Sequence, residues 1–372
     1  MKSICSRMSN TVSPDVRFEY YKSPTFKNCN PGSINLAGLN VDPDNPCTQK
    51  ELLSNNYVVS MNRDLSTHIK ADKHALDQFY TDHMRKLIEQ FKDTSKINFP
   101  IYYMTGDTRG QEEFFYPLFA KARQFQIASN PEWNQLHVRN MNLPHRATFP
   151  HQPTLLKCFN QHRHWHGGGQ HISVIRHSYD ETVRVANTLK FKHKFDRVVW
   201  RGISTGAWIP LEHNQRVQLV KKYFHHPDMN IGFERILPGH SAADPSLNNL
   251  IKPKLSGEQM IQHKYIVSIH GNDKDSGLNW KLQTDSVVLM PEPYIESWLM
   301  EGLLEPGVHY VLLKDDLSDL PEKLQWCRDN QHECERISHN ATEFMRQFWD
   351  HDQEIQLQHD LLSWGSSLID HG

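Results

Sequence analysis

Apolar positions are sparse through the first seventy residues, where Asn, Pro, Ser and Asp dominate, so residues 1–70 are expected to form an irregular amino-terminal wrap. Periodicity starts after it. Leu76, Phe79, Tyr80, Met84, Leu87, Ile88 and Phe91 recur three and four apart, which places them on one face of an amphipathic helix. FPIYYMTGD, from Phe99 to Asp107, is a short apolar and aromatic run closed by Gly, the pattern of a buried strand entering a loop. A helix over Phe114–Phe125, a strand at Ile172–Ile175 and a helix near Glu181–Phe191 complete a mixed α/β first half. The second half is more regular. RVVWRG, Arg197 to Gly202, predicts a strand, followed by a loop and a helix around Asn214–Phe224. From Gly257, helical segments alternate with the apolar runs YIVSI, SVVLMP and HYVLL, and closing helices run from Pro321 past Phe348. Strands alternating with helical segments of ~10 residues imply a parallel sheet covered on both faces, a Rossmann-like layer.

With 372 residues the chain is long enough for two domains at ~150 residues each. The pattern divides it at 71–195, 196–345 and a helical tail, 346–372, expected to pack back on the first domain. Hydrophobic residues at 38% and charged residues at 23% describe a chain that buries a core and exclude collagen-like or coiled-coil composition. Lys plus Arg at 41 against Asp plus Glu at 43 leaves a net charge of -2, so no positive field is available for a polyanion, and nucleic acid is excluded as the main partner. No run approaches the ~20 apolar residues of a membrane span. The opening segment also lacks an apolar block after Lys2, so a cytoplasmic protein is expected. The six scattered cysteines suit free thiols in a reducing compartment, with a pair among Cys5, Cys29 and Cys47 left open.

Ligands of open α/β sheets collect at the carboxyl ends of strands, where helix N-termini offer unpaired N–H groups. After the strand at Arg197–Trp200 come Arg201, Gly202, Ser204, Thr205 and Gly206, then Arg216 in the next helix: cations, small hydroxyls and turn glycines where a phosphate could sit. Equally, Arg201 could pair with a carboxylate and the glycines simply turn the chain. HGNDKDSGLNWKL, His270 to Leu282, follows the next strand. Its Gly271, Asn272, Asp275, Ser276 and Gly277 form a tight loop able to cradle phosphate or ribose, with Lys274 and Lys281 to offset charge. Glu292, Glu296 and Glu301 lie between a strand end and a helix, where a carboxylate could accept from sugar hydroxyls or merely favour a helix start. Asp107, at the mouth of the FPIYYM strand, is a candidate general base or a turn cap.

Two motifs point elsewhere. Gly202-Ile203-Ser204-Thr205-Gly206 fits GxSxG and His166-Gly167-Gly168-Gly169 fits an esterase oxyanion sequence, which together suggest a serine hydrolase using Ser204. Arg201 before the turn and the long gap from Gly206 to the helix do not suit a nucleophile elbow. His162, His164, His166 and His171 could bind a metal, although 24 histidines make such a cluster common here by chance.

The stretch from Tyr265 to Phe348 carries HGN, then SVVLMPEP, ESW, MEGLLEP, HYV and DLSDL, and resembles glycosyltransferase family 90. That family comprises the Rumi-like protein O-glucosyltransferases, capsule-associated xylosyltransferases and lipopolysaccharide-modifying enzymes. WRGISTG with Asn214-Gln215-Arg216 is similar to its RGS/T segment and following arginine, and YYMTGD to its amino-terminal acid motif. The resemblance implies a GT-B fold, two Rossmann-like domains facing a central cleft, with acceptor bound by 71–195 and nucleotide sugar by 196–345. It implies inverting transfer of glucosyl or xylosyl from a UDP-sugar to a glycan or glycoprotein acceptor, with no cofactor and no obligatory metal. Asp107 matches the catalytic aspartate, Arg201, Gly202, Ser204, Thr205 and Arg216 the first donor-binding segment, and Ser276 the second. Animal members carry an arginine where this chain has Gly277-Leu278-Asn279, so Arg216, with Lys281 as substitute, is expected to hold the diphosphate. The expected context is microbial or viral.

Overall fold

The computed structural model describes residues 12–22, 47–48, 58–69, 75–104, 123–124, 189–206, 210–271, 274–275, 277–293, 295–367 and 369–370. In the amino-terminal half these include the Pro14–Lys22 helix and strands β1 (Cys47–Thr48), β2 (Val58–Met61), β3 (Thr67–Ile69), β4 (Ile101–Met104) and β5 (Arg123–Gln124). β2 pairs antiparallel with both β3 and β4, so Val59 faces Ile69 on one side and Tyr103 on the other. The period of two puts Val59, Met61, Ile101 and Tyr103 into one buried cluster with Met84, Leu87 and Ile88 of the Ala75–Ile88 helix. A helix and strands lie inside the expected irregular wrap, and the three described strands β3, β2 and β4 form an antiparallel sheet. At the end of the helix expected over Phe114–Phe125, Arg123 and Gln124 are strand. The expected strand at 172–175, most of the helix expected after it (181–188) and the histidine cluster at 162–171 lie outside the described residues.

The second half forms a five-stranded sheet from β6 (Phe195–Ile203), β7 (Met229–Arg235), β8 (His263–Val267), β9 (Val287–Met290) and β11 (Val311–Leu312), ordered β11-β9-β8-β6-β7. All neighbours pair in parallel. Val198, Trp200, Tyr265, Val267, Val287 and Leu289 enter a core shared with Val217 and Val220 of the Gln215–Tyr223 helix and Leu324 of the Leu320–Asp329 helix. Val199, Ile266, Val288 and Met290 point the opposite way, onto Trp280, Phe344 and Phe348. Apolar side chains on both faces are what a parallel sheet requires, because helices cover each side.

Between β9 and β11 the short strand β10 (Ile295–Glu296) pairs antiparallel with β5. The His351–Ser367 helix sends Leu357 and Leu361 into the second core and Leu362 into the amino-terminal one. β12 (Ile369–Asp370) then pairs parallel with β1. Cys327 and Cys334 are free and buried. No helix among the described residues is long and apolar enough to cross a membrane.

Candidate functional site

Numbered along the sequence, the five strands stand in the order 2-1-3-4-5, so the winding reverses between β6 and β8. Loops leaving those two strands diverge to opposite faces of the sheet and leave a crevice at their carboxyl ends, where such folds bind ligands. The first loop begins at Ser204, whose Oγ accepts from the Leu237 N–H at 2.9 Å. Gly206 turns the chain at φ +96°, a conformation that favours glycine. Asn214 then holds the loop. Its Nδ2 donates to the carbonyls of Thr205 at 2.9 Å and Gly206 at 3.3 Å, while its Oδ1 accepts from the N–H groups of Arg216 and Val217 as the N-cap of the Gln215–Tyr223 helix.

Arg216 reaches from this helix across the switch point. Its Nε donates to the His270 carbonyl at 2.8 Å and its Nη1 to the Ile203 carbonyl at 3.1 Å, tying the end of β6 to the loop after β8. At Gly271 the fit is close: a Cβ there would lie 2.6 Å from Thr205 Oγ1 and 2.7 Å from Arg216 Nη2. A hydroxyl, a guanidinium and a bare stretch of main chain therefore meet at one point of the crevice.

The loop after β8 is braced internally. Asp275 accepts from Ser268 Oγ at 2.6 Å and the Gly277 N–H at 2.9 Å, and forms an ion pair with the buried Lys281. Burial would raise the Asp275 carboxyl, but the Lys281 ammonium and the hydrogen bonds from Lys281 and Ser268 outweigh it and hold the pKa at about 2. From the same loop, Lys274 pairs with Glu301 at 3.0 Å in full burial. Ser268, His270, Lys274, Asp275, Pro293 and Glu301 border a cavity of about 20 Å³, room for about one water.

Of the residues expected at a donor site, Thr205, Arg216 and Gly271 come together. Arg201 does not join them. It lies buried toward β7, donating to the carbonyls of Pro253, Trp200 and Asn230 and to Asn230 Oδ1, and burial lowers its pKa to about 10. Lys281 sits beneath the loop, bound to Asp275 and the Val267 carbonyl, rather than open to an incoming phosphate. Gly202 is a packing glycine, since a Cβ would meet the Trp200 ring at 3.0 Å. Glu296 is placed by its backbone in β10, opposite Arg123. Asp107, Asn272 and Ser276 lie outside the described residues. Asn214 is the loop clamp that residue-by-residue reasoning passed over, although an Asn directly before a helical run is itself a capping signal.

The hydrolase alternative fails on the geometry of its nucleophile. Ser204 has no exposed surface and its Oγ is engaged by main chain, whereas an elbow serine stands clear of the strand. Among the described residues no group of three or more His, Cys, Asp or Glu is placed to hold a metal.

A doubly wound parallel sheet whose switch point gathers glycine, hydroxyl and arginine is an α/β domain with a crevice of the kind that binds ligands at its strand ends. Residues 158–370 match glycosyl transferase family 90, over half of the chain, and the protein belongs to that family. It is 33% identical over 177 residues to the O-glucosyltransferase LpsA of Dichelobacter nodosus, covering 48% of this chain and 50% of that protein. It is 34% identical over 104 residues to Protein O-glucosyltransferase 2 of Danio rerio, covering 28% and 20%. The chain thus spans half or less of these two relatives. Anabaena Alr3699/HepE in complex with UDP superposes on 65% of this chain and 63% of its own at TM-score 0.35 and 14% identity, too loosely to decide anything further.

Proposed function

We propose that the chain is an inverting glycosyltransferase that moves a glucosyl or xylosyl unit from a UDP-sugar to a hydroxyl of a glycan or protein acceptor. The observation that carries this reading is the meeting of Thr205, Arg216 and Gly271 at the switch point of a family 90 chain. LpsA, an O-glucosyltransferase by name, favours glucose. A GT-B arrangement belongs to the proposal, with 196–345 binding the donor, 71–195 the acceptor and 346–372 as a tail. Its support is the doubly wound second half.

In the proposed reaction Asp107 takes the acceptor proton as the oxygen attacks the anomeric carbon from the face opposite the diphosphate. Charge then builds on the departing UDP. Arg216, already fixed by its bonds to the Ile203 and His270 carbonyls, supplies a positive charge there, and a preorganised cation costs no rearrangement during the step. Arg201 and Lys281 act at one remove, Arg201 by joining β6 to β7 and Lys281 by pinning Asp275. On this account a metal is not obligatory.

The test is a nucleotide-release screen with a panel of nucleotide sugars, with and without EDTA. The expected result is UDP release from one UDP-sugar, indifferent to chelator. Asp107→Asn should lose roughly 100- to 10,000-fold in transfer while UDP affinity, read by calorimetry, stays near native. Release that appears only with manganese would overturn the metal-free step. No measurable UDP binding by the native chain would overturn the whole reading.

A further inference from the structure

Lys274 and Glu301 are 2% and 1% exposed, and they close a triangle with Ser297. The Lys274 ammonium donates to Ser297 Oγ at 2.5 Å and to Glu301 Oε1 at 3.0 Å. Ser297 Oγ donates to Glu301 Oε1 at 3.0 Å, and the Ser297 N–H donates to Oε2 at 2.6 Å. Immediately before Glu301, Met300 is held at φ +56°, a left-handed conformation that is unfavourable for a residue with a side chain. Met300 is fully buried, so packing sets this turn and with it the direction of Glu301.

Removing two charges from water is expensive, and replacing such a pair by apolar residues is often neutral or stabilising. Stability alone therefore gives little reason for this pair. Its placement gives a better one. Lys274 belongs to the loop after β8 and Glu301 to the chain that follows β9, whereas Arg216 ties the same β8 loop to the end of β6 on its other flank. The loop carrying Gly271 is thus held from both neighbouring strand ends, with the Asp275–Lys281 pair inside it.

We infer that Lys274 and Glu301 are a positioning pair that holds the β8 loop in its donor-competent form before the nucleotide sugar arrives. The inference rests on the reading of this crevice as the donor site. Without the pair the loop samples other conformations, and apparent affinity falls in proportion to the competent fraction. Donor KM and UDP Kd then rise while kcat at saturating donor does not.

The test uses the full chain with Lys274→Met and Glu301→Leu combined, so that no unpaired buried charge remains. The expected result is UDP affinity weakened and donor KM raised about tenfold, with kcat within about twofold of native. The melting temperature should stay within about 4 °C. Amide exchange over 268–277, measured without nucleotide, should be faster in the variant. Unchanged affinity at unchanged melting temperature, or a fall in kcat at constant KM, overturns the inference. Should the double variant fail to fold, Ser297→Ala removes the hydroxyl that links the pair. A several-fold loss of affinity then supports the role and native affinity overturns it. If the native chain binds no UDP, the exchange measurement still decides whether the pair holds the loop, and only the donor-site reading falls.

Discussion

Gly271 shows how much of the site depends on single atoms. The crevice closes around the absence of a side chain there, because a methyl group would fall within 3.0 Å of Thr205 Oγ1 and Arg216 Cζ. Gly271→Ala must push the guanidinium or the hydroxyl aside, and forced repacking of this kind costs about 1–3 kcal/mol. UDP affinity is expected to fall about tenfold, the equivalent of 1.4 kcal/mol, in a calorimetric titration. Native affinity in that variant would remove Gly271 from the donor site. Thr205 and Gly271 stood out in the sequence by their place after strand ends, and Arg216 as the cation in the helix that follows the first of them. Arg201 was not, since its partners Pro253 and Asn230 are 52 and 29 residues away and only the folded sheet brings their carbonyls to it.

At the scale of elements, the loop after β6 and the helix after it depend on one carboxamide. Asn214→Ala removes the helix cap, worth about 0.5–2 kcal/mol, together with the two bonds to Thr205 and Gly206. Asn214→Asp keeps the cap, because a carboxylate still accepts from Arg216 and Val217, but sets a buried anionic oxygen against the Thr205 and Gly206 carbonyls. That variant should unfold at lower urea than native and bind UDP several-fold more weakly. Equal affinity for UDP would show that the clamp is dispensable. Strands β8 and β9 announced themselves as apolar runs, since they lie inside the sheet and are covered on both faces, and β11 did so although Leu312 is exposed at the sheet edge. β7 did not, because Asn230, Gly232 and Glu234 alternate with buried Met229, Ile231 and Phe233 at the edge of the sheet. β2 escaped notice because its pairing with β4 spans a long stretch of chain that local pattern does not report, and β3 because it is a three-residue strand paired with β2 alone.

Across the whole molecule, the amino-terminal Pro14–Lys22 helix is joined to the His351–Ser367 helix by the buried Arg17–Glu354 ion pair. Arg17 Nη1 also donates to the Gln347 carbonyl at 2.8 Å, and its guanidinium lies 4.5 Å from the Phe348 ring. Arg17→Met strands a carboxylate in a dry interface and should cost about 3–5 kcal/mol in chemical unfolding, whereas adding Glu354→Leu should recover most of that loss. A single variant as stable as native would mean that the two ends of the chain are not docked through this pair. The same carboxy-terminal helix places Leu362 in the amino-terminal core and receives the Asn98 N–H on Ser366 Oγ at 3.0 Å, so its two faces serve both halves.

What the amino-acid sequence determined unaided is local: the alternation of buried strands with helices, the glycine and hydroxyl residues at strand ends, and the family-like run through HGN and SVVLMPEP. Those features depend on periodicity and chain direction, which are written in order along the backbone. Tertiary structure alone decided the strand order that creates a switch point, the turning of Arg201 and Lys281 away from the crevice, and the closure of Lys274 onto Glu301 across 27 residues. Each of these is a contact between segments distant in sequence, and where a charged side chain finds its partner depends on which strand ends the folded sheet sets side by side.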